Sequence, residues 1–356
     1  MTALADRDFS RILIIKPSAV GDVVHTLPLL VKLRRRYPAA QIDWFITPEN
    51  AELVRAHPAL SNIVLFPRRQ YARFGTSPTA TLGVVRLLAE LRRAHYDLVV
   101  DVHGQARSAV FALATGAKCR VGYERAREWA WLAYSHRVPV PTMDCHAVDR
   151  YLGLSDVLNL DRDPPDFTIC LPPAVDERAN ELLAGEGLIG QRYSVISPST
   201  TWETKFWSPE HFGEVARHLS ARGLRVLVVG APSERERCRM VAEQCPGAID
   251  LAGRTSLGVL AAVMRQAAIC VTNDSGTMHL AAALGRPFVS VFGPTNPVRT
   301  GPYQRPDAVV RLDLECSPCL LRKLRHCRHE HRCLRDLGSS LVIERIELVL
   351  ATRAAA

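Results

Sequence analysis

Twice along this chain, short β-rich apolar runs end in small polar turns and give way to helical patterns. That doubled rhythm constrains the fold more than any other feature. Arg11-Ile-Leu-Ile-Ile15 is closed by Lys16-Pro17-Ser18, and a helical pattern runs from about Asp22 to Arg36. Gln41–Ile46 and Asn62–Phe66 read as strands, Leu82–Arg93 as a helix and Asp97–Val102 as a further strand. Alternation of this kind predicts a parallel sheet with helices on both faces. From Asp161 to Pro173 the chain turns rich in Pro and Asp, and the domain junction is expected there. The rhythm then restarts with Tyr193–Ser197, a helix opened by Ser208-Pro209, and strands at Arg225–Val229, Ile269–Thr272 and Pro287–Phe292.

The expectation is an α/β chain with two Rossmann-like, doubly wound domains. They are assigned to 1–170 and 171–340, followed by a helix over 341–356 that can pack back on the first domain. In this architecture ligands bind at the carboxyl ends of strands. A length of 356 residues and a hydrophobic fraction of 47% are enough for two cores. No basic stretch followed by an apolar core opens the chain, so no signal peptide is expected. No apolar run approaches the roughly 18 residues of a bilayer span. The expected location is the cytoplasm.

The formal charge is +9. Arginines gather at Arg34–Arg36, Arg68, Arg69, Arg73, Arg107, Arg120, Arg125 and Arg127, and again from Arg322 to Arg335. Nucleic acid, an anionic membrane surface and a phosphorylated substrate all fit such charge, as do solvated helix faces. No nucleic-acid-binding module accompanies it, and nucleic acid ranks last.

Four segments follow strands and can carry chemistry. In Lys16-Pro-Ser-Ala-Val-Gly-Asp22, Asp22 sits where a strand turns into a helix; read from its position alone, it can equally be a simple cap. In Ser199–Pro209, Thr200 and Thr201 offer hydroxyls and Lys205 a cation suited to a diphosphate, while Trp202 and Trp207 shape a pocket or pack a core. In Val271–His279, Ser275, Gly276 and Thr277 present hydroxyls and N–H groups to a phosphate at a helix start. Asp274 can cap that helix, and a lone helical His279 suits a core position. In Gly230–Glu234, the carboxylate is placed to accept ribose hydroxyls. Neither a G-x-G-x-x-G fingerprint nor a P-loop is present.

Taken in order, five motifs resemble the ADP-heptose–lipopolysaccharide heptosyltransferases of glycosyltransferase family 9. They are the Asp22 segment, Asp101-Val-His-Gly-Gln105, Thr200-Thr201 with Lys205-Phe-Trp207, Asn273-Asp-Ser-Gly276 with His279–Ala283, and Phe292-Gly-Pro-Thr-Asn-Pro297. The resemblance spans about Arg11 to Pro297. It implies a GT-B fold, a cleft between the domains, and inverting transfer from ADP-L-glycero-D-manno-heptose to the inner core of lipopolysaccharide. It implies Asp22 as general base and Lys205 on the diphosphate. Thr200, Thr201, Asp274, Ser275, Gly276 and Thr277 match phosphate-binding positions, His279 matches the family's histidine, and Glu234 matches a ribose-binding glutamate. The implied acceptor is an anionic lipid core at the inner membrane face, reached by peripheral contact. His103 departs from the pattern, where glutamine is common, and Thr255 stands where some relatives carry an adenine-contacting methionine.

No metal is required for the implied chemistry, because a lysine and a helix start supply the positive charge at the leaving diphosphate. Asp161-Arg-Asp163 spells a D-x-D triplet but lies in the junction and reads as linker. Cys316, Cys319, Cys327 and Cys333, with His326, His329 and His331 among them, can hold a structural zinc or iron centre. A disulfide or free thiols are the alternatives. The rival functions are transfer to a protein or another glycan, a GT-B nucleotide-sugar epimerase, and a metal-bearing nucleic-acid-binding protein. The ordered motifs weigh against the last.

Overall fold

The structure, a computed structural model, describes residues 4–140, 142 and 144–354. It divides into two compact units, Met1–Cys170 and Leu171–Ala356.

The first unit holds six strands: β1 (Arg11–Ile15), β2 (Gln41–Ile46), β3 (Asn62–Leu65), β4 (Leu98–Asp101), β5 (Cys119–Tyr123) and β6 (His136–Val138). Their order is β3-β2-β1-β4-β5-β6, and every pairing is parallel. Ile12 to Ile15 and Leu98 to Val100 are fully buried, as strands covered by helices on both faces must be. Phe45, Phe66 and Phe111 pack together as the aromatic part of one core, with Phe45 and Phe66 stacked.

The second unit repeats the plan with β7 (Tyr193–Ser197), β8 (Arg225–Val228), β9 (Ile249–Asp250), β10 (Ile269–Asn273), β11 (Phe288–Val291) and β12 (Val309–Val310). The order β12-β11-β10-β7-β8-β9 is the same doubly wound topology, read from the opposite edge. Both halves are thus the Rossmann-like domains that a GT-B chain carries. The Pro209–Ala221 helix starts as its sequence predicts, with Ser208 Oγ accepting from the His211 N–H. The last helix, Ser339–Ala354, sets Val342, Ile346 and Val349 into the second unit's core beside Trp207 and Leu334. The buried face of this helix therefore belongs to the second unit's core.

Asp161 and Asp163 are not a free triplet. Lys32 pairs with Asp161 at 2.6 Å and Arg35 with Asp163 at 3.1 Å, so the segment is fastened to the Val20–Arg36 helix.

Candidate active site

In a doubly wound sheet the chain reverses direction at one point, and the strand ends there leave a crevice. In the first unit that point lies between β1 and β4, in the second between β7 and β10. The singled-out segments at Asp22, Asp101, Thr200 and Asp274 all follow or end these four strands.

In the first unit, Asp22 stands in the first turn of the Val20–Arg36 helix. Its Oδ2 accepts from the Ala19 N–H at 3.2 Å, so the capping role is real. It does not exhaust the carboxylate. Tyr151 donates to Oδ1 at 2.5 Å, and Lys16 Nζ lies 3.4 Å from Oδ2. Lys16, only 4% exposed, also donates to the Tyr151 hydroxyl at 2.9 Å. A carboxylate offers about four lone-pair positions, so these three partners leave room for one more donor. The Asp22 side chain is 38% exposed, which puts that position within reach of a ligand.

Loss of water works against the Asp22 charge, but Lys16, the Tyr151 hydroxyl and the Ala19 N–H outweigh it, and the carboxyl is held below its ordinary range. Burial pulls Lys16 down, with Asp22 opposing. Burial and then the Lys16 cation push His103 down to about 4. His103 is therefore neutral near neutral pH, an uncharged hydrogen-bonding group, and its buried Nδ1 has no hydrogen-bond partner among the described residues. Asp101 anchors this histidine's loop. The fully buried carboxylate accepts from the N–H groups of His103 and Gly104 and from Tyr134 Oη at 2.7 Å.

The second unit gathers Thr200, Lys205, Asp274, Ser275 and Thr277. Lys205 Nζ is 2.7 Å from Asp274 Oδ2 and lies 4.5 Å from the centre of the Trp202 ring. Thr200 Oγ1 donates to the Asp274 carbonyl, and Thr277 Oγ1 bonds Ser197 and Ser275. Gly276 opens the Gly276–Ala283 helix, whose first N–H groups lack helical acceptors and favour an anion. The Asp274 carboxylate, paired with Lys205, holds that cation in position. Thr201 is exposed, and His279 is buried one turn along the helix. Glu234 belongs to the next strand end, after β8, where its Oε2 accepts from the Ala231 N–H at 2.7 Å. The two tryptophans divide the roles left open: Trp207 is core, Trp202 lines the site.

Several participants escaped the sequence reading. Tyr151 is 129 residues from Asp22 and carries no local signal. Lys16 directly ends a strand run, and that place alone marked it. Thr295 donates to Asp274 from the Gly293–Pro297 loop, a motif noted without a role.

The cysteine segment also bears on this site. Leu324 N–H donates to Glu203, His331 Nε2 lies 2.7 Å from the Thr204 carbonyl, the Arg322 guanidinium covers Trp202, and Ser317 Oγ donates to the Gly293 carbonyl. The segment braces the loops that carry Lys205 and Thr295. All four thiols are free, and among the described residues no three His, Cys, Asp or Glu side chains are grouped to hold a metal. Burial and then the three neighbouring thiols push Cys333 up to about 11.

The profile of glycosyltransferase family 9 (heptosyltransferase) matches residues 84–328. Lipopolysaccharide heptosyltransferase 1 of Pseudomonas aeruginosa is 34% identical over 315 residues, 87% of this chain and 86% of that one. The E. coli heptosyltransferase WaaC solved with ADP superposes with a TM-score of 0.76 at 27% identity, covering 95% of this chain and 99% of that one. The same enzyme with ADP-2-deoxy-2-fluoro heptose gives 0.74, with the same identity and coverage. The chain belongs to glycosyltransferase family 9, the heptosyltransferases, and is a glycosyltransferase of GT-B fold.

Proposed function

We propose that this enzyme transfers a heptose from ADP-L-glycero-D-manno-heptose to the inner core of lipopolysaccharide, with inversion, and that Asp22 is the general base. The observation that carries the reading is the Lys16–Tyr151–Asp22 assembly: an ionised, accessible carboxylate at the switch point of its sheet, with one acceptor position unfilled. The names and ligands of the relatives supply the donor and acceptor.

In this mechanism an acceptor hydroxyl attacks the anomeric carbon of the donor. Its oxygen forms the new glycosidic bond while the bond from that carbon to the β-phosphate oxygen breaks, and a single displacement inverts the centre. Asp22 takes the hydroxyl proton as the bond forms. ADP departs with an added negative charge, which Lys205 and the helix start at Gly276 stabilise. Thr200, Thr201, Ser275 and Thr277 supply hydroxyls around the diphosphate, Glu234 accepts from the ribose, and His279 supports the Gly276–Ala283 helix from within. These groups supply the charge that a metal would, so transfer needs none. The acceptor is an anionic lipid at the cytoplasmic membrane face, and nucleic acid is not a partner.

The test is transfer from ADP-heptose to defined lipid-core acceptors, with and without a first heptose. Asp22→Ala is expected to keep the wild-type affinity for ADP and lose turnover by about 10²–10⁴-fold. Near-normal turnover in that variant refutes the base assignment. Thermal stabilisation by UDP and not by ADP refutes the donor.

A further inference from the structure

Among the described residues, no helix is long and apolar enough to cross a membrane. An enzyme whose acceptor is a lipid then needs a surface for the bilayer, and the first unit carries a candidate. The Ala106–Ala114 helix and the helical turns at Arg127–Ala133 pack through small residues, Ala109 against Ala130 and Ala133. Flanking this alanine seam, larger apolar side chains point into solvent: Val110 (55% exposed) and Leu113 (52%) on the helix, Trp129 (73%) and Leu132 (61%) on the turns. Such a cluster is not the scatter of single apolar residues that ordinary surfaces show.

The outward position of Trp129 is built in. Glu128 and Trp129 both have positive φ (55° and 63°), a conformation uncommon for such residues. It is pinned at two points: Arg127 N–H donates to the Gly104 carbonyl, and Glu128 Oε2 accepts from the Ala106 N–H. Trp131 stacks near Trp129 with ring centres 6.5 Å apart, and the Arg137 guanidinium covers Trp131 at 4.6 Å. The charge around the patch is predominantly basic. Six basic residues lie between Arg107 and Arg137, against two acidic ones, and Arg107, Lys118, Arg125, Arg127 and Arg137 are exposed. Exposed tryptophan and leucine on a segment rich in exposed basic residues is the chemistry of an interfacial anchor: the rings seat among lipid headgroups and the cations meet anionic phosphates.

We infer that the surface formed by Val110, Leu113, Trp129 and Leu132, with the exposed basic residues of the same segment, docks on an anionic phospholipid bilayer. This deepens the function proposed above and rests on it only for the acceptor's location, since the docking itself needs no acceptor.

The experiment is co-sedimentation of the full-length protein with vesicles of phosphatidylcholine alone or mixed with phosphatidylglycerol, all free of lipopolysaccharide. Binding is expected only to the mixed vesicles, with a blue shift of tryptophan emission. Trp129→Ala/Leu132→Ser is expected to weaken binding about tenfold or more, while thermal stabilisation by ADP and turnover on a water-soluble acceptor fragment stay at wild-type values. Trp129→Phe is a second variant that keeps the apolar volume; it should retain most binding and lose the blue shift. Four results would overturn the proposal. One is no binding to mixed vesicles. Another is equal binding by the double variant, which would make the attraction purely ionic. A third is a wild-type dimer that the double variant dissolves without any vesicle binding, which would make the occupant a second copy. The fourth is loss of turnover on the soluble fragment, which would make the patch part of the acceptor site. Failure of heptose transfer with vesicle binding intact would touch the proposed function and leave the docking surface standing.

Discussion

A buried ammonium needs a partner, since an isolated charge is expensive to remove from water. Lys16 has two, the Asp22 carboxylate and the Tyr151 hydroxyl, and this arrangement sets the pH behaviour. Asp22 is held below its ordinary value, so it is ionised throughout the neutral range and loses its charge only as pH falls through that lowered value. The stability that its pairing contributes is therefore present above the ordinary carboxyl pKa and lost on acidification. The acid limb of kcat/KM should fall in the same low window. His103, pushed down to about 4, should add no step between pH 5 and 8. Tyr151→Phe removes one of the groups that lower the Asp22 pKa, so its acid limb should move to higher pH while ADP affinity is unchanged. A pH–rate profile decides this: a uniform drop in rate with the limb in place would make Tyr151 only a packing residue.

At the scale of elements, the site depends on loops that other loops brace. Lys205 is held by Asp274, itself bonded by Thr295, while Trp207 ties the same loop to the core, donating from its backbone to Asn273 and from its ring to the Leu337 carbonyl. Lys205→Ala should weaken ADP binding roughly tenfold to a hundredfold, the effect of losing a charged hydrogen bond. Calorimetry on Lys205→Ala, Asp274→Ala and the double variant should give strongly non-additive losses, because Asp274 acts through Lys205. The cysteine segment reaches this loop through hydrogen bonds and ring stacking, so a strong chelator should leave both the melting temperature and ADP affinity unchanged. A fall in both, with release of zinc or iron, would show that the thiols coordinate. Legibility from the sequence follows the same division. β1, β2 and β7 were readable because both their faces are buried and their residues are mostly apolar and β-prone, with Asp43 and Ser194 the interior polar positions. β5 was not, since Arg120 and Gly122 interrupt it and its neighbours come from far along the chain. Lys205 and the Gly276 turn announced themselves by following strands; the Asp274–Lys205 pair and the Tyr151–Asp22 bond are tertiary and leave no local trace.

At the scale of the whole molecule, each unit has its own sheet and its own core. In the second, Ile196, Phe212, Val271 and Val289 pack with Trp207, Leu334 and Ile346. The last helix and the cysteine segment fold onto that same unit, so everything that braces the Lys205 loop lies within Leu171–Ala356. Every proposed donor contact, from Thr200 to His279, lies there too, whereas Asp22, Lys16, His103 and Tyr151 all belong to Met1–Cys170. Two doubly wound units of this size are each within the range of independently folding domains. A chain of residues 171–356 should therefore unfold cooperatively and be stabilised by ADP to nearly the extent of the full protein, because binding to the folded state alone raises stability by mass action. It should transfer nothing, since Asp22, the proposed base, is missing. The measurement is thermal unfolding of the two chains across a titration of ADP. An ADP affinity more than about tenfold weaker in the isolated unit would show that the first unit contributes to donor binding and that the nucleotide site drawn here is incomplete.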